Sequence, residues 1–166
     1  MTMKKKRVLI ICTGNSARSQ MAEGLLRNDA GDRFNVESAG TKSSSVRPEA
    51  IAVMREVGID ISGHRSKNVD QFQGQQFDYL ITVCDNARET CPVFFGATGD
   101  SGGQPVKAHW GYPDPSHAEG GDEGKRRAFE LTRQAIGYRM LQLLALPLQT
   151  MDRAALQAAL AEIGRS

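Results

Sequence analysis

Long apolar runs are missing from this chain. No window approaches the roughly 18 residues of a membrane-spanning helix. The basic opening Lys4-Lys5-Lys6-Arg7 is followed by only four apolar residues, Val8-Leu9-Ile10-Ile11, before Cys12. A secretory signal needs an apolar core of about 7–15 residues, so the basic start reads as a solvated lead into a first strand. Aromatic residues make up 6% of the chain, the net charge is only +2 and the pI is near 8.5. No basic stripe interleaved with aromatics appears, which argues against nucleic acid as a partner. Cysteine is scarce and odd in number, at three. A secreted disulfide scaffold would want pairs, so free thiols in a reducing cytoplasm are expected. His64, His109 and His117 are scattered without ligand spacing, so no metal site is expected and these histidines read as structural.

What is present is an ordinary globular composition. The 166 residues are 40% apolar and 24% charged, enough for one well-buried core. Residues 7–11 form a short continuous apolar run, as expected of a parallel strand covered on both faces. Residues 19–28 read as a helix with Ala22, Leu25 and Leu26 at helical spacing, and residues 34–38 alternate like a strand. Pro48 suits the first turn of a second helix, with a stripe of Ile51, Val53, Met54 and Val57 and a stop at Gly58. Residues 77–84 (FDYLITVC) are the clearest strand, and residues 106–110 a shorter one. Long and short helices are expected over 126–146 and 152–163, and Trp110 reads as core at a strand end. Residues 96–104 form a glycine-rich loop. Strands alternating with helices imply one α/β domain with a four-stranded parallel sheet flanked by helices. Its expected extent is residues 1–146, with 147–166 a C-terminal helical extension packed on it. On that topology Cys12, Cys84 and Asp114 share the carboxyl edge of the sheet, where ligands bind.

The stretch Cys12-Thr13-Gly14-Asn15-Ser16-Ala17-Arg18-Ser19 lies between the first strand and the first helix. A loop of small residues there points backbone N–H groups inward, beside the positive end of the helix, and so cradles an anion. Arg18 adds a planar clamp for oxyanion oxygens. Donors converging on a sulfur favour its nucleophilic thiolate form, with Ser16 and Ser19 as candidate donors and Asn15 fixing the loop. The competing reading of Cys12 is a small buried hydrophobe. Asp114 lies between Pro113 and Pro115 in a rigid turn. It reads as a general acid that protonates a departing oxygen, against the alternative of a plain turn former.

These residues resemble the low-molecular-weight tyrosine phosphatase superfamily, with its C-x5-R-S loop and late Asp-Pro. Within it, CTGNSARSQMAEG, ESAG, VCDNARETCP and HWGYPDPS are similar to the thioredoxin-coupled arsenate reductases, over roughly the first 145 residues. The resemblance implies a relay of three cysteines. Cys12 attacks arsenate held by Arg18 and the loop 13–19 (Thr13, Gly14, Asn15, Ser16, Ala17, Arg18, Ser19), with Asp114 assisting loss of hydroxide. Cys84 then releases arsenite and leaves a Cys12–Cys84 disulfide. Cys91 attacks Cys84, leaving Cys84–Cys91 for thioredoxin to reduce. Seven residues on one helix rise about 10.5 Å, whereas a disulfide needs Cα atoms about 4.4–6.8 Å apart. If Cys84 and Cys91 share a helix, residues 85–90 must therefore unwind, helped by Pro92.

The resemblance implies no bound cofactor beyond reducing equivalents from thioredoxin, and phosphate or sulfate as mimics of arsenate. A cytoplasmic monomer with no membrane or nucleic-acid partner is expected. Some members bind potassium through residues matching Asn15, Glu23 and Ser38 together with a threonine and an aspartate. The last two are Arg65 and Lys67 here, so no potassium is expected; Lys67 either fills that volume with its ammonium group or is a solvated surface lysine. Two rivals stand beside the reductase. A phosphatase would use Cys12, Arg18 and Asp114 but needs neither Cys84 nor Cys91, and Ser116 and His117 stand where such phosphatases usually carry tyrosines. A non-catalytic oxyanion or redox sensor would bind without turnover.

Overall fold

A computed structural model describes residues 5–85 and 105–166. Cys91, residues 86–90, Pro92 and the glycine-rich loop 96–104 lie outside the described residues. Four parallel strands form one sheet in the order β2-β1-β3-β4. They are β1 (Lys6–Cys12), β2 (Phe34–Gly40), β3 (Tyr79–Thr82) and β4 (Val106–His109). All three pairings are parallel, with Cys12 opposite Gly40 and Ile11 opposite Thr82. The described helices are α1 (Arg18–Ala30), α2 (Pro48–Arg55), α3 (Gly121–Leu144) and α4 (Arg153–Ile163).

The unbroken burial of β1 from Val8 to Cys12 follows from cover on both faces. Val8, Ile10 and Cys12 point into the main core, to which all four helices contribute. Leu9 and Ile11 point the other way, into a smaller cluster with Phe72, Phe77 and Leu80.

The sequence boundaries shift where apolar pattern and hydrogen bonding part company. The strand expected over 77–84 pairs only at Tyr79–Thr82. Phe77, Val83 and Cys84 are buried but flank the ladder, which pairs the same four residues with β1 on one side and β4 on the other. The long helix begins at Gly121 rather than 126. Its first turn is polar, with Asp122 and Glu123 favoured at the positive helix end, so it carries no apolar period to read. In α2, Val53 and Met54 are buried while Val57 is exposed. The helix stops at Arg55, and the chain turns away through Gly58 at φ 79°. Among the described residues no helix is long and apolar enough to cross a membrane.

The C-terminal helix lies along β4. Leu160 and Ile163 join the main core, and Trp110, fully buried, donates its indole N–H to the Leu160 carbonyl at 2.9 Å.

Candidate active site

β1 delivers Cys12 to the carboxyl edge of the sheet, 2% exposed and with a free thiol. The chain then turns within five residues into α1. That turn needs a left-handed residue, and Asn15 supplies it at φ 47°, a conformation asparagine tolerates better than most side chains. The turn points the Asn15 N–H at Cys12 Sγ, 3.1 Å away. Gly40, opposite Cys12, passes so close that a Cβ there would sit 2.5 Å from the Thr13 carbonyl oxygen and 2.8 Å from Asn15 N. Lys42 N–H donates to the Thr13 carbonyl at 2.9 Å, and Ser66 Oγ to the Gly14 carbonyl at 3.0 Å.

A directed chain of hydrogen bonds runs into the sulfur. Ser38 Oγ donates to Glu23 Oε1 at 2.6 Å, and the carboxylate is an acceptor only. Ser38 Oγ therefore accepts from Asn15 Nδ2 at 2.9 Å, and the second Nδ2 hydrogen goes to Ser19 Oγ at 2.8 Å. That leaves the Ser19 hydroxyl hydrogen for Cys12 Sγ, also 2.8 Å away. Of the two serines expected near the sulfur, Ser19 holds this place; the Ser16 carbonyl accepts from Arg47 N–H.

Glu23, only 3% exposed, anchors the far end and is ringed by cations. Arg27 lies 2.8 Å from Oε2, and Lys67 Nζ 3.5 Å from Oε1. Lys67 is thus not a free surface lysine. Its backbone N–H holds Asn15 Oδ1 at 2.8 Å and its Nζ also donates to the Arg65 carbonyl at 3.3 Å. The residues at the family's potassium position do not fit that ion here, because a charged amine already stands against the buried Glu23 carboxylate.

His64 also faces Glu23, 3.5 Å away, and pairs with Gln20 Oε1 at 3.1 Å and Arg27 at 3.3 Å. Burial pushes its pKa below the usual value, the Glu23 charge pulls it back up, and Arg27 and Lys67 push it down again. Read as structural, His64 proves to belong, together with Gln20, to the loop's support. Gln20 Nε2 reaches both oxygens of Asn15.

The other wall is the segment after β4. Arg18, 4% exposed at the start of α1, donates to the Tyr112 carbonyl at 3.0 Å and faces Asp114 Oδ2 at 3.8 Å. Ser116 holds Asp114 Oδ1 through its N–H at 3.0 Å and its hydroxyl at 2.7 Å. This leaves Oδ2 turned toward Arg18 and the exposed His117. Beside it, Pro113, Pro115, Leu131 and Thr132 help line a cavity of about 400 Å³. Cys84, fully buried and disulfide-bonded, stands two residues after Thr82, whose register partner is Ile11. Cys12, Arg18, Asp114 and Cys84 thus all lie at the carboxyl edge. Among the described residues no group of His, Cys, Asp or Glu is arranged to hold a metal ion.

The low molecular weight phosphotyrosine protein phosphatase family model matches residues 7–158. An arsenate reductase of Halalkalibacterium halodurans is 41% identical over 138 residues, covering 83% of this chain and 94% of that protein. The structure of an arsenate reductase in a phosphate-binding state superposes with a TM-score of 0.64 at 33% identity, covering 84% of this chain and 97% of that one. A thioredoxin-dependent arsenate reductase of Corynebacterium glutamicum aligns with a TM-score of 0.57 at 25% identity, over 87% of this chain and 62% of that one. With its signature loop and Asp-Pro turn on this sheet edge, the chain belongs to the low molecular weight phosphotyrosine protein phosphatase family.

Proposed function

We propose that this chain reduces arsenate to arsenite, passing two electrons from its cysteines and drawing them in turn from thioredoxin. The observation that carries the reading is the pairing of strand ends. Cys12 closes β1 and Cys84 follows the neighbouring β3, so a second cysteine ends at the same edge of the sheet as the nucleophile, where hydrolysis of a phosphate would need none. The matched reductases support the same substrate class, and the phosphate-bound relative supports an oxyanion in the loop.

In the first step the Cys12 thiolate, aligned by Ser19 and Asn15, attacks arsenic(V) held by Arg18 and the loop amides. Asp114 Oδ2 gives its proton to the departing hydroxide, which leaves as water. In the second, the Cys84 thiolate attacks Cys12 Sγ. The electron pair of the sulfur–arsenic bond goes to arsenic, which leaves as arsenite, and a Cys12–Cys84 disulfide remains. Cys91 then attacks Cys84 Sγ and expels the Cys12 thiolate. Thioredoxin reduces the resulting Cys84–Cys91 disulfide by thiol exchange. Ser116 is committed to Asp114 Oδ1 and His117 is exposed, so neither builds a clamp for an aryl ring of the kind a phosphotyrosine substrate would want.

The test is arsenate turnover with thioredoxin, thioredoxin reductase and NADPH. The parent protein sustains NADPH oxidation, while Cys12→Ser, Cys84→Ser and Cys91→Ser each stop it after at most one turnover. Sustained oxidation by Cys91→Ser would overturn the relay. A parent protein that consumes no NADPH would overturn the reductase reading in favour of a phosphatase or a sensor.

A further inference from the structure

No step of the proposed chemistry touches α4, yet the segment that carries Asp114 is tied to it directly at Trp110 and indirectly through Arg139 of α3. Trp110 is held through its indole N–H on the Leu160 carbonyl. The Gly111 carbonyl accepts from Arg139 at 3.2 Å. The same guanidinium donates to the Gly164 and Ser166 carbonyls, both at 3.1 Å, and lies over the Tyr112 ring, 4.8 Å from its centroid. The Tyr112 carbonyl in turn holds Arg18. Three successive residues are thus pinned by three different partners, two residues before Asp114.

The approach is close enough to be specific. A Cβ on Gly164 would lie 2.6 Å from the His109 carbonyl oxygen and 3.0 Å from Trp110 Cδ1. Further along the strand, the Gln157 side-chain amide accepts from Lys107 N–H and donates to the Lys107 carbonyl, so α4 pairs with the outer backbone of the edge strand.

We infer that α4 and the residues that follow it, joined to the 110–112 backbone through Arg139 of α3 as a positioning residue, brace the 110–114 segment and so hold Asp114 beside Arg18, in place to protonate the departing oxygen. The inference rests on the acid role given to Asp114 above. Arg139 serves because one planar fork can grip the loop and the residues after α4 together. A general acid contributes about 10²–10⁴-fold, and a misplacement of about 1 Å costs on the order of a hundredfold. A loosened brace therefore removes a measurable part of that contribution.

The test is a double-mutant cycle on the single-turnover rate of arsenite formation, which avoids the thioredoxin step. Arg139→Met keeps an unbranched side chain against Tyr112 and removes the fork, while Gly164→Ala pushes the end of α4 off the edge strand. Two variants acting at different atoms keep the test open should one destabilise the domain. Each lowers the rate about ten- to a hundredfold with Asp114 present, and less than about twofold in the Asp114→Asn background. Equal losses in both backgrounds, or no loss from either variant, overturn the brace while leaving the acid role intact. An unchanged rate in Asp114→Asn alone overturns the acid role itself, and the brace falls with it.

Discussion

Lys67→Met tests whether the cation beside Glu23 matters to a cysteine it never touches. At the 3.5 Å separation of Nζ and Oε1, the gross attraction is roughly 5 kcal/mol at an effective dielectric constant of about 20. Dehydrating the ammonium and fixing a side chain with about 2 kcal/mol of rotamer freedom offset much of that. Removing the sole partner of a buried charge costs about 3–5 kcal/mol, but Glu23 keeps Arg27 at 2.8 Å and Ser38 at 2.6 Å. The expected net loss in a urea titration is therefore about 1–2 kcal/mol. The side chains are 15% and 3% exposed, so the loss persists in high salt, unlike that of a surface pair. The single-turnover rate falls several-fold as the Glu23–Ser38–Asn15–Ser19 chain loosens. Added potassium recovers part of that loss in the variant and leaves the parent unchanged. A variant that unfolds and turns over like its parent would refute the reasoning and make Lys67 a solvated lysine after all.

Gly40→Ala places a Cβ against the Thr13 oxygen and Asn15 nitrogen. Overpacking of this kind costs about 1–3 kcal/mol, and phosphate binding by calorimetry weakens by about tenfold or more. Ser19→Ala removes the hydroxyl on Cys12 Sγ. Hydrogen bonds to charged groups contribute about 1.5–3 kcal/mol, so rapid-quench rates of arsenite formation fall about tenfold or more, with phosphate affinity little changed. His64 has a pKa below its ordinary 6.5, set by burial, with Arg27 and Lys67 lowering it further against the upward pull of Glu23 and Asp60. Below that ordinary value the unfolded chain binds more protons than the folded one. The stabilisation is therefore complete above 6.5 and is lost as pH falls toward the depressed folded value. His64→Gln flattens that acid limb in a pH series of urea melts; an unchanged slope would place the proton uptake elsewhere.

The strand, turn and helix start around Cys12 were legible because local chemistry dictates them. An apolar run ending on Cys12, small residues, then a helix can form little else than a strand, a tight turn and a helix start. Asp114 was legible because two prolines stiffen its turn. The supports of the loop were harder to read, since they come from distant residues with no motif of their own. Gly40 matters only because Thr13 and Asn15 approach it, and its one visible signal was the glycine closing ESAG. Gln20 and His64 look like an ordinary helix residue and a stray histidine until the fold brings them together at 3.1 Å. Ser16 and Ser19 were equivalent candidates in the sequence; helix phase, which no residue type encodes, turned Ser19 to the sulfur. Strand ends moved for a similar reason. Phe77 and Val83 are as apolar as a strand interior, but the ladder is set by pairing with both neighbours, which spans only Tyr79–Thr82.

The central claim is that Cys84 takes over the bond from Cys12 and carries the electrons away from arsenic. It is tested most directly by treating reduced Cys91→Ser protein with one equivalent of arsenate, blocking free thiols and mapping disulfides by peptide mass spectrometry. The expected product is a Cys12–Cys84 disulfide formed in step with one arsenite per chain. Arsenite released with Cys12 and Cys84 both still alkylatable, or no arsenite with both thiols intact, would contradict it.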